Sequence, residues 1–435
     1  MIRTGKGLAS IGLGLFLVFG GVGCMRSESN VIRIANFMTD PILIQILTDQ
    51  VALVQKDNPD LTVRVESIPY PQYQEKIITQ AAAGDAPDVI FVEVNNFVNL
   101  YTRGIFEDLN PYLLKDELDL SGYYPGPVGR FTREGHLYAL PQDTAPTGLI
   151  YYNKEAFKEA GLPEPSAGWS WPEPFLSICR KLVKRDSAGR VTRFAYSEAY
   201  PIQLGNFIYS NGADWVDDPA NPKRCVIDSP AFLQAARFRW DLIHAFHVAA
   251  DPTQLQSFNP GAGVQQLFAQ GKVALMASGI WETPQLLKNG SVPFDVVPFP
   301  QGPGGKRGWG TGGSGYAISR TSKHKEAAWK IIRALLSDES LKRMAATGFI
   351  QPAKIDLAES DDFLKAPGAS RKACLLKMPL DAHYEPFDPH WNEIYYGVIQ
   401  PALDPVWLGK EKPEQVLRDL AVRINEKFYP SKARP

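Results

Sequence analysis

Apolar positions along the chain switch between two periods. Val31-Ile-Arg-Ile-Ala35 alternates, which predicts an opening strand. Residues 40–58 place Ile44, Leu47, Val51 and Val54 on one helical face. "NPDLTVRVESIP" reads as a turn and a second strand. Residues 73–83 read as a second helix, with Ile77, Ile78 and Ala81 inward and Gly84 as its stop. Val89 to Val92 is then continuously apolar, the pattern of a parallel strand covered on both faces. Strand, helix, strand, helix, strand is the order of an open α/β sheet.

A second α/β set comes next. "TGLIYYNKEAFKEAGL" predicts a strand and a helix stopped at Gly161, and residues 172–185 and 230–247 predict further helices. "GKVALMASG" and "FDVVPFP" predict strands. "KHKEAAWKIIRALLSD" carries Ala328, Ile331, Ile332 and Leu335 on one side, with Ser322 as N-cap. "PEQVLRDLAVRINEKF" predicts the terminal helix. No repeat, low-complexity tract or long linker separates two halves. That predicts lobes built from interleaved segments and joined by more than one strand.

The first thirty residues break this pattern. Two basic residues precede an apolar run from Gly7 to Gly21, and Val22-Gly23-Cys24 comes after it. A basic start, a short apolar run and small residues before a cleavage point read as a secretory signal. The run is too short for a comfortable membrane span, which needs about 20 apolar residues. Once the signal is removed, Cys179, Cys225 and Cys374 remain, enough for one disulfide at most. A net charge of −1 gives no electrostatic reason to expect nucleic acid as a partner.

Reaction chemistry is harder to find. Gly308, Gly310 and Gly313 match the spacing of a dinucleotide loop, but a strand, Gly315 to Ser319, stands where that loop needs a helix. No H-E-x-x-H, Walker A or G-x-S-x-G motif occurs. His244 and His247 are three apart on a predicted helix, with no acidic or cysteine partner nearby, so no metal is expected. No cofactor is implied. Asn36 and Glu93 end two parallel strands, where α/β crevices take ligands.

Four stretches point to one family. Residues 81–113 carry Ala-Gly-x-x-Pro-Asp-Val and then G-x-x-x-x-L-x-P. "GHLYALPQDTAPTGLIYYNKEAFKEAGL" carries Tyr-Ala-Leu-Pro and Leu-x-Tyr-Tyr-Asn-Lys. "FAQGKVALMASGIWE" has Gly-Lys-x-Ala-x-Met and a final Trp. "GGSGYAISRTSKHKEAAWKIIRALLS" has the Gly-Tyr-Ala-Ile-Ser strand. In this order the chain resembles the extracellular solute-binding proteins of carbohydrate ABC importers, the family that includes maltose-binding protein.

The resemblance implies an α/β, two-lobed periplasmic-binding-protein fold (a Venus flytrap) that closes on a sugar or oligosaccharide. It implies a signal peptide over 1–23 and a tether over 24–30, lipidated at Cys24, so that the protein is periplasmic or cell-surface and membrane-anchored. The first lobe is expected over 31–143 plus 291–320, and the second over 144–290 plus 321–435. Hinges are expected near 141–147, 284–292 and 318–322. The implied partners are the transmembrane permease subunits of an importer with its cytoplasmic ATPase, and the binding protein itself is expected to be a monomer without enzymatic activity. Trp281 is expected to stack on a sugar ring beside the carboxylate of Glu282. Asp143 is expected as a polar contact, and Trp309 and Gly312 as cleft-lining. Tyr384 and Trp391 fall in the late aromatic segment. A glycerol-phosphate-type ligand, which would want arginines in the cleft, and a secreted carbohydrate-active enzyme are the alternatives.

Overall fold

The computed structural model describes residues 31–38, 41–258, 260–290 and 292–430. Signal, tether and Cys24 lie outside the described residues. In chain order the strands begin with β1 (Val31–Asn36), β2 (Thr62–Ser67) and β3 (Val89–Glu93). A hairpin β4 (Thr132–Arg133) and β5 (His136–Leu137) precedes β6 (Leu140–Pro141), β7 (Asp143–Pro146) and β8 (Leu149–Asn153). Next come β9 (Lys184–Arg185), β10 (Val191–Glu198), β11 (Val273–Ser278) and β12 (Phe294–Pro298). The last are β13 (Trp309–Gly312), β14 (Ser314–Ile318), β15 (Gln351–Pro352) and β16 (Ala382–His383).

These strands make two lobe sheets with a smaller sheet between them. The first lobe is ordered β2-β1-β3-β14-β6, and the second β12-β8-β11-β10-β9. β1 runs parallel to β2 and β3, and β10 parallel to β11. Val89, Ile90 and Val92 are fully buried, as their unbroken apolar run predicts. The helix Lys325–Leu335 turns Ala328, Ile331, Ile332 and Leu335 into the first core.

The third sheet, β15-β7-β13-β16, holds the places where the chain changes lobe. β7 leads from β6 into β8, and β13 leads from β12 back into β14. Beyond β15 the chain leaves the first core, which includes Ile350 and Leu357, for the second, which includes Phe363. The sequence expectation is corrected here. Residues 294–298 belong to the second lobe, because β12 pairs with β8 along its whole length. The helices Lys325–Leu335 and Asp338–Ala345 belong largely to the first lobe, with Trp329, Leu341 and Met344 in its core. The chain therefore crosses between the lobes at β13 and beyond β15, not at 284–292 and 318–322. Strand partners, which local periodicity does not encode, decide the matter.

One smaller expectation also changes. Ser322 is not the cap of its helix. Its hydroxyl donates to Asp88 Oδ1 at 2.6 Å and accepts from the His324 amide, and His324 holds the N-cap position. Cys179, Cys225 and Cys374 are all unpaired. Among the described residues no helix is long and apolar enough to cross a membrane.

Candidate ligand-binding site

The C-terminal end of β3 delivers Glu93 to the first-lobe side of the gap between the lobes, and Asn36 ends the neighbouring strand β1. Asn36 is fully buried. Its Oδ1 accepts from the Met38 amide at 2.8 Å, while Nδ2 has no partner. Glu93 Oε2 accepts from the Tyr70 hydroxyl at 2.6 Å. Gly312 lies opposite: a Cβ there would sit 3.6 Å from Glu93 Oε1, so no side chain comes between. Asp143, on the crossing strand β7, accepts from the Ser314 amide (2.9 Å), the Ser314 hydroxyl (2.6 Å) and Gln142 Nε2. Its acceptors are occupied, and burial pushes its pKa up against those bonds.

The opposite side is built from segment 384–388 and the helical turns after it. Beyond β16 the chain reaches back across the gap, where Tyr384 and Phe387 pack on the first-lobe core. It then returns to the second core at Trp391. Arg130, from the first-lobe helix Pro125–Phe131, ties this strap down. Its Nη1 donates to the Glu385 carbonyl at 2.9 Å and its Nε to the Val94 carbonyl at 3.2 Å. Arg133 lies 3.0 Å over the Phe387 ring. Tyr384 fits because Gly126 leaves room: a Cβ there would be 2.6 Å from the hydroxyl. The Tyr384 hydroxyl, Glu385 Oε2 and Trp391 Nε1 have no hydrogen-bond partner. Between strap and hinge lies a cavity lined by Thr147, Tyr209, Gly310, Glu385 and Trp391, among others.

The electrostatics of this throat are unusual. Burial raises Glu93 to about 7, with Asp143 adding to the rise and the Tyr70 hydroxyl opposing it. Burial also raises Glu385 to about 7, where the Arg130 charge opposes the rise and Glu93 adds to it. Burial pushes the Arg130 guanidinium down to about 10 against the pull of Glu385. Tyr396 is 52% exposed and Tyr70 49%, yet both feel the charges of Glu93 and Glu385. Two accessible aromatic rings thus flank the carboxylates. Tyr396 sits on a wide π-type turn over Tyr395–Ile399, a local distortion often found at functional sites.

A second cluster lies on the second lobe alone, where β11 ends. Glu282 Oε1 accepts four donors: the Tyr200 hydroxyl (2.9 Å), Ser278 Oγ (3.0 Å), Trp281 Nε1 (3.1 Å) and Gln265 Nε2 (3.2 Å). The half-buried Trp281 ring folds back over Gly279, where a Cβ would be 1.9 Å away, and sits 6.4 Å from the Tyr200 ring. This corner offers one aromatic pair and a carboxylate whose Oε1 is already taken by the protein.

Of the residues marked by sequence, Glu93, Asp143, Gly312, Tyr384 and Trp391 meet at the throat, and Trp281 and Glu282 at the corner. Trp309 faces elsewhere, which corrects the cleft-lining expectation. It is 2% exposed, donates to the Met378 carbonyl at 2.8 Å and packs over Gly148 in the second core. Sequence reasoning missed Tyr70, Arg130, Tyr200, Glu385 and Tyr396. Glu385 stands inside "HYEPFDPHW", next to two residues that were marked; the others carry no local signal. His244, at the end of the helix Pro230–His244, faces the Trp407 carbonyl at 3.1 Å. No group of metal-ligating residues occurs among the described residues.

Residues 40–342 match the model of the bacterial extracellular solute-binding proteins. The chain belongs to that family. Among relatives of this solute-binding protein, the galactooligosaccharide-binding protein of Bacillus subtilis is 24% identical over 383 residues, covering 86% of this chain and 85% of its own. The arabinooligosaccharide-binding protein of Halalkalibacterium halodurans is 23% identical, covering 74% of this chain and 71% of its own. The Listeria monocytogenes ABC substrate-binding protein Lmo0181, solved with cycloalternan, superposes with a TM-score of 0.79 at 23% identity, over 91% of this chain and 98% of its own. Maltose-bound MalE3 of T. maritima superposes at 0.75 and 23% identity, over 91% and 99%. These structures share the two-lobed fold.

Proposed function

We propose that this protein binds a sugar or oligosaccharide between its lobes and delivers it to the transmembrane permease subunits of an ABC importer driven by a cytoplasmic ATPase. The observation that carries the reading is the pairing of accessible aromatic rings with buried polar groups left open. A pyranose has an apolar CH face and an edge of hydroxyls. Tyr70, Tyr396, Tyr200 and Trp281 offer ring faces. Asn36 Nδ2, Trp391 Nε1, the Tyr384 hydroxyl and Glu385 Oε2 are unpartnered, and unpartnered buried groups are costly unless a ligand completes them. Relatives named for galacto- and arabino-oligosaccharides support the same class. Carboxylates at the throat oppose a phosphate-bearing ligand; Arg130 spends Nε and Nη1 on two backbone carbonyls, and its Nη2 is left unpartnered.

Lobe closure is expected about β7, β13 and the segment beyond β15, because a ligand favours the closed form only through contacts with both lobes. Calorimetry against a panel of gluco-, galacto- and arabino-oligosaccharides tests the ligand class, and small-angle scattering tests closure. No binding across the panel, or an unchanged radius of gyration at saturation, counts against the reading. Incubation with the bound saccharide is expected to release no new reducing ends. The anchor at Cys24 is part of the same proposal. Cys24→Ser is expected to move the protein out of the membrane fraction, and continued membrane retention would exclude a lipid anchor.

A further inference from the structure

A separate cavity of about 280 Å³ lies on the second lobe, where β10 ends. Three helices supply its walls: Pro230–His244, Pro252–Phe258 and Gln400–Trp407. One loop joins it to the corner and the throat. Tyr200 and Pro201 line this cavity, the Tyr200 hydroxyl serves Glu282 at the corner, and Ile202 lines the throat cavity. The C-terminal end of a parallel strand is also where an α/β crevice takes ligands.

The cavity has a polar edge and an apolar floor. On the edge, Arg239 is fixed twice. Its Nε donates to Glu198 Oε2 at 2.8 Å, and its guanidinium lies 3.8 Å over the Trp407 ring. Its buried Nη1 has no partner. Ser197 is 7% exposed, and neither its hydroxyl nor the Asp404 carboxylate has a hydrogen-bond partner among the described residues. Leu242, Ile243, Ala250 and Leu255 make the floor. Two ligand chemistries fit this poorly. Glu198 already balances Arg239 and Asp404 adds a negative charge, which opposes a carboxylate or phosphate. A bare pyranose edge would press unpaired hydroxyls onto the floor.

Resting on the saccharide reading above, we propose that this cavity takes the acetamido group of an N-acetylated sugar. That group carries one acceptor, one donor and one methyl, in the proportions the cavity offers. Its carbonyl accepts from the Ser197 hydroxyl and the Arg239 guanidinium, and its N–H donates to Asp404. Its methyl covers the floor and leaves water. Tyr200, 39% exposed, gives the sugar ring a face to stack on at the mouth of the cavity.

Calorimetry with acetamido, hydroxyl and free-amine congeners tests this: N-acetylglucosamine, glucose and glucosamine; the galacto series; and the β-1,4 trimers of N-acetylglucosamine, glucose and glucosamine. In at least one series the acetamido member is expected to bind at least ~10-fold tighter than both others, about 1.4 kcal/mol. Ala250→Leu fills the floor and should bring the acetamido-to-hydroxyl ratio close to one. Ser197→Ala removes a donor and should lower that ratio. Melting curves confirm that both variants fold. Hydroxyl members binding as tightly in every series, free amines gaining as much as the acetamides, or a preference that survives both substitutions overturns the acetamido pocket and leaves the saccharide reading intact. Failure of every sugar here and in the oligosaccharide panel overturns both.

Discussion

The corner at Glu282 and the throat at Glu385 use the same functional group in opposite ways. Glu282 Oε1 is surrounded by donors from Tyr200, Gln265, Ser278 and Trp281, all within the second lobe. Its carboxylate is a structural post that fixes the Trp281 ring. Glu385 stands on a strap between lobes, with one oxygen bare and a second carboxylate within electrostatic reach. A carboxylate completed by its own lobe holds a wall in place. One left incomplete at the boundary between lobes keeps an acceptor open to whatever enters.

The largest effect should come from a residue that supports both regions and belongs to neither. Trp309→Ala truncates a core indole beside the hinge. It should cost about 3–5 kcal/mol and lower the melting temperature by on the order of 10 °C. A small shift would mean that the hinge side is loosely packed. Next, the two glutamates should separate cleanly. Glu282→Ala strands buried donors and should cost about 1–3 kcal/mol in thermal or urea unfolding. Glu385→Gln, at a site already under charge strain, should leave stability equal or higher. Equal losses in both variants would erase the contrast.

Ligand binding sharpens it further. Trp281→Ala should weaken saccharide affinity at least ~10-fold, about 1.4 kcal/mol, while leaving the ligand-free melting temperature nearly intact, since the ring is only half-buried. Unfolding of this variant would make Trp281 part of the core. The pH response should be smaller. Glu93 and Glu385 have folded pKa values near 7, above the ordinary 4.5, so the folded state holds protons that the unfolded chain gives up. Their contribution is therefore fully present below about 4.5 and is lost as pH rises through about 7. The ligand-free protein should melt lower at pH 8 than at pH 5 by more than its Glu93→Gln/Glu385→Gln double variant does. Identical slopes would place the titration elsewhere. The smallest effect belongs to Gly312→Ala. Its added methyl meets neighbours only at ordinary contact distance, 3.6 Å, so the fold should tolerate it and affinity should fall only a few-fold.

The sequence by itself determined the elements and the family. Period-two and period-3.6 patterns are local properties of the backbone, so β1, β3 and the helices Pro41–Asp57, Lys325–Leu335 and Pro413–Phe428 were legible from residues 31–428 alone. The ends of parallel strands, together with the family resemblance, marked Asn36, Glu93 and Trp281 in the same way. Tertiary structure alone decided which lobe each segment joins, because antiparallel pairing of β12 with β8 joins residues more than a hundred positions apart. It also decided which tryptophan faces inward. Trp281 and Trp309 are each seated on a glycine, Gly279 and Gly148, but only the second is enclosed by another lobe segment at Met378. Arg130 and Glu385 are separated by 255 positions and meet across the gap at 2.9 Å. A charge acquires its environment from whatever packs around it. The unsatisfied throat therefore exists only once the strap has folded back over the first lobe.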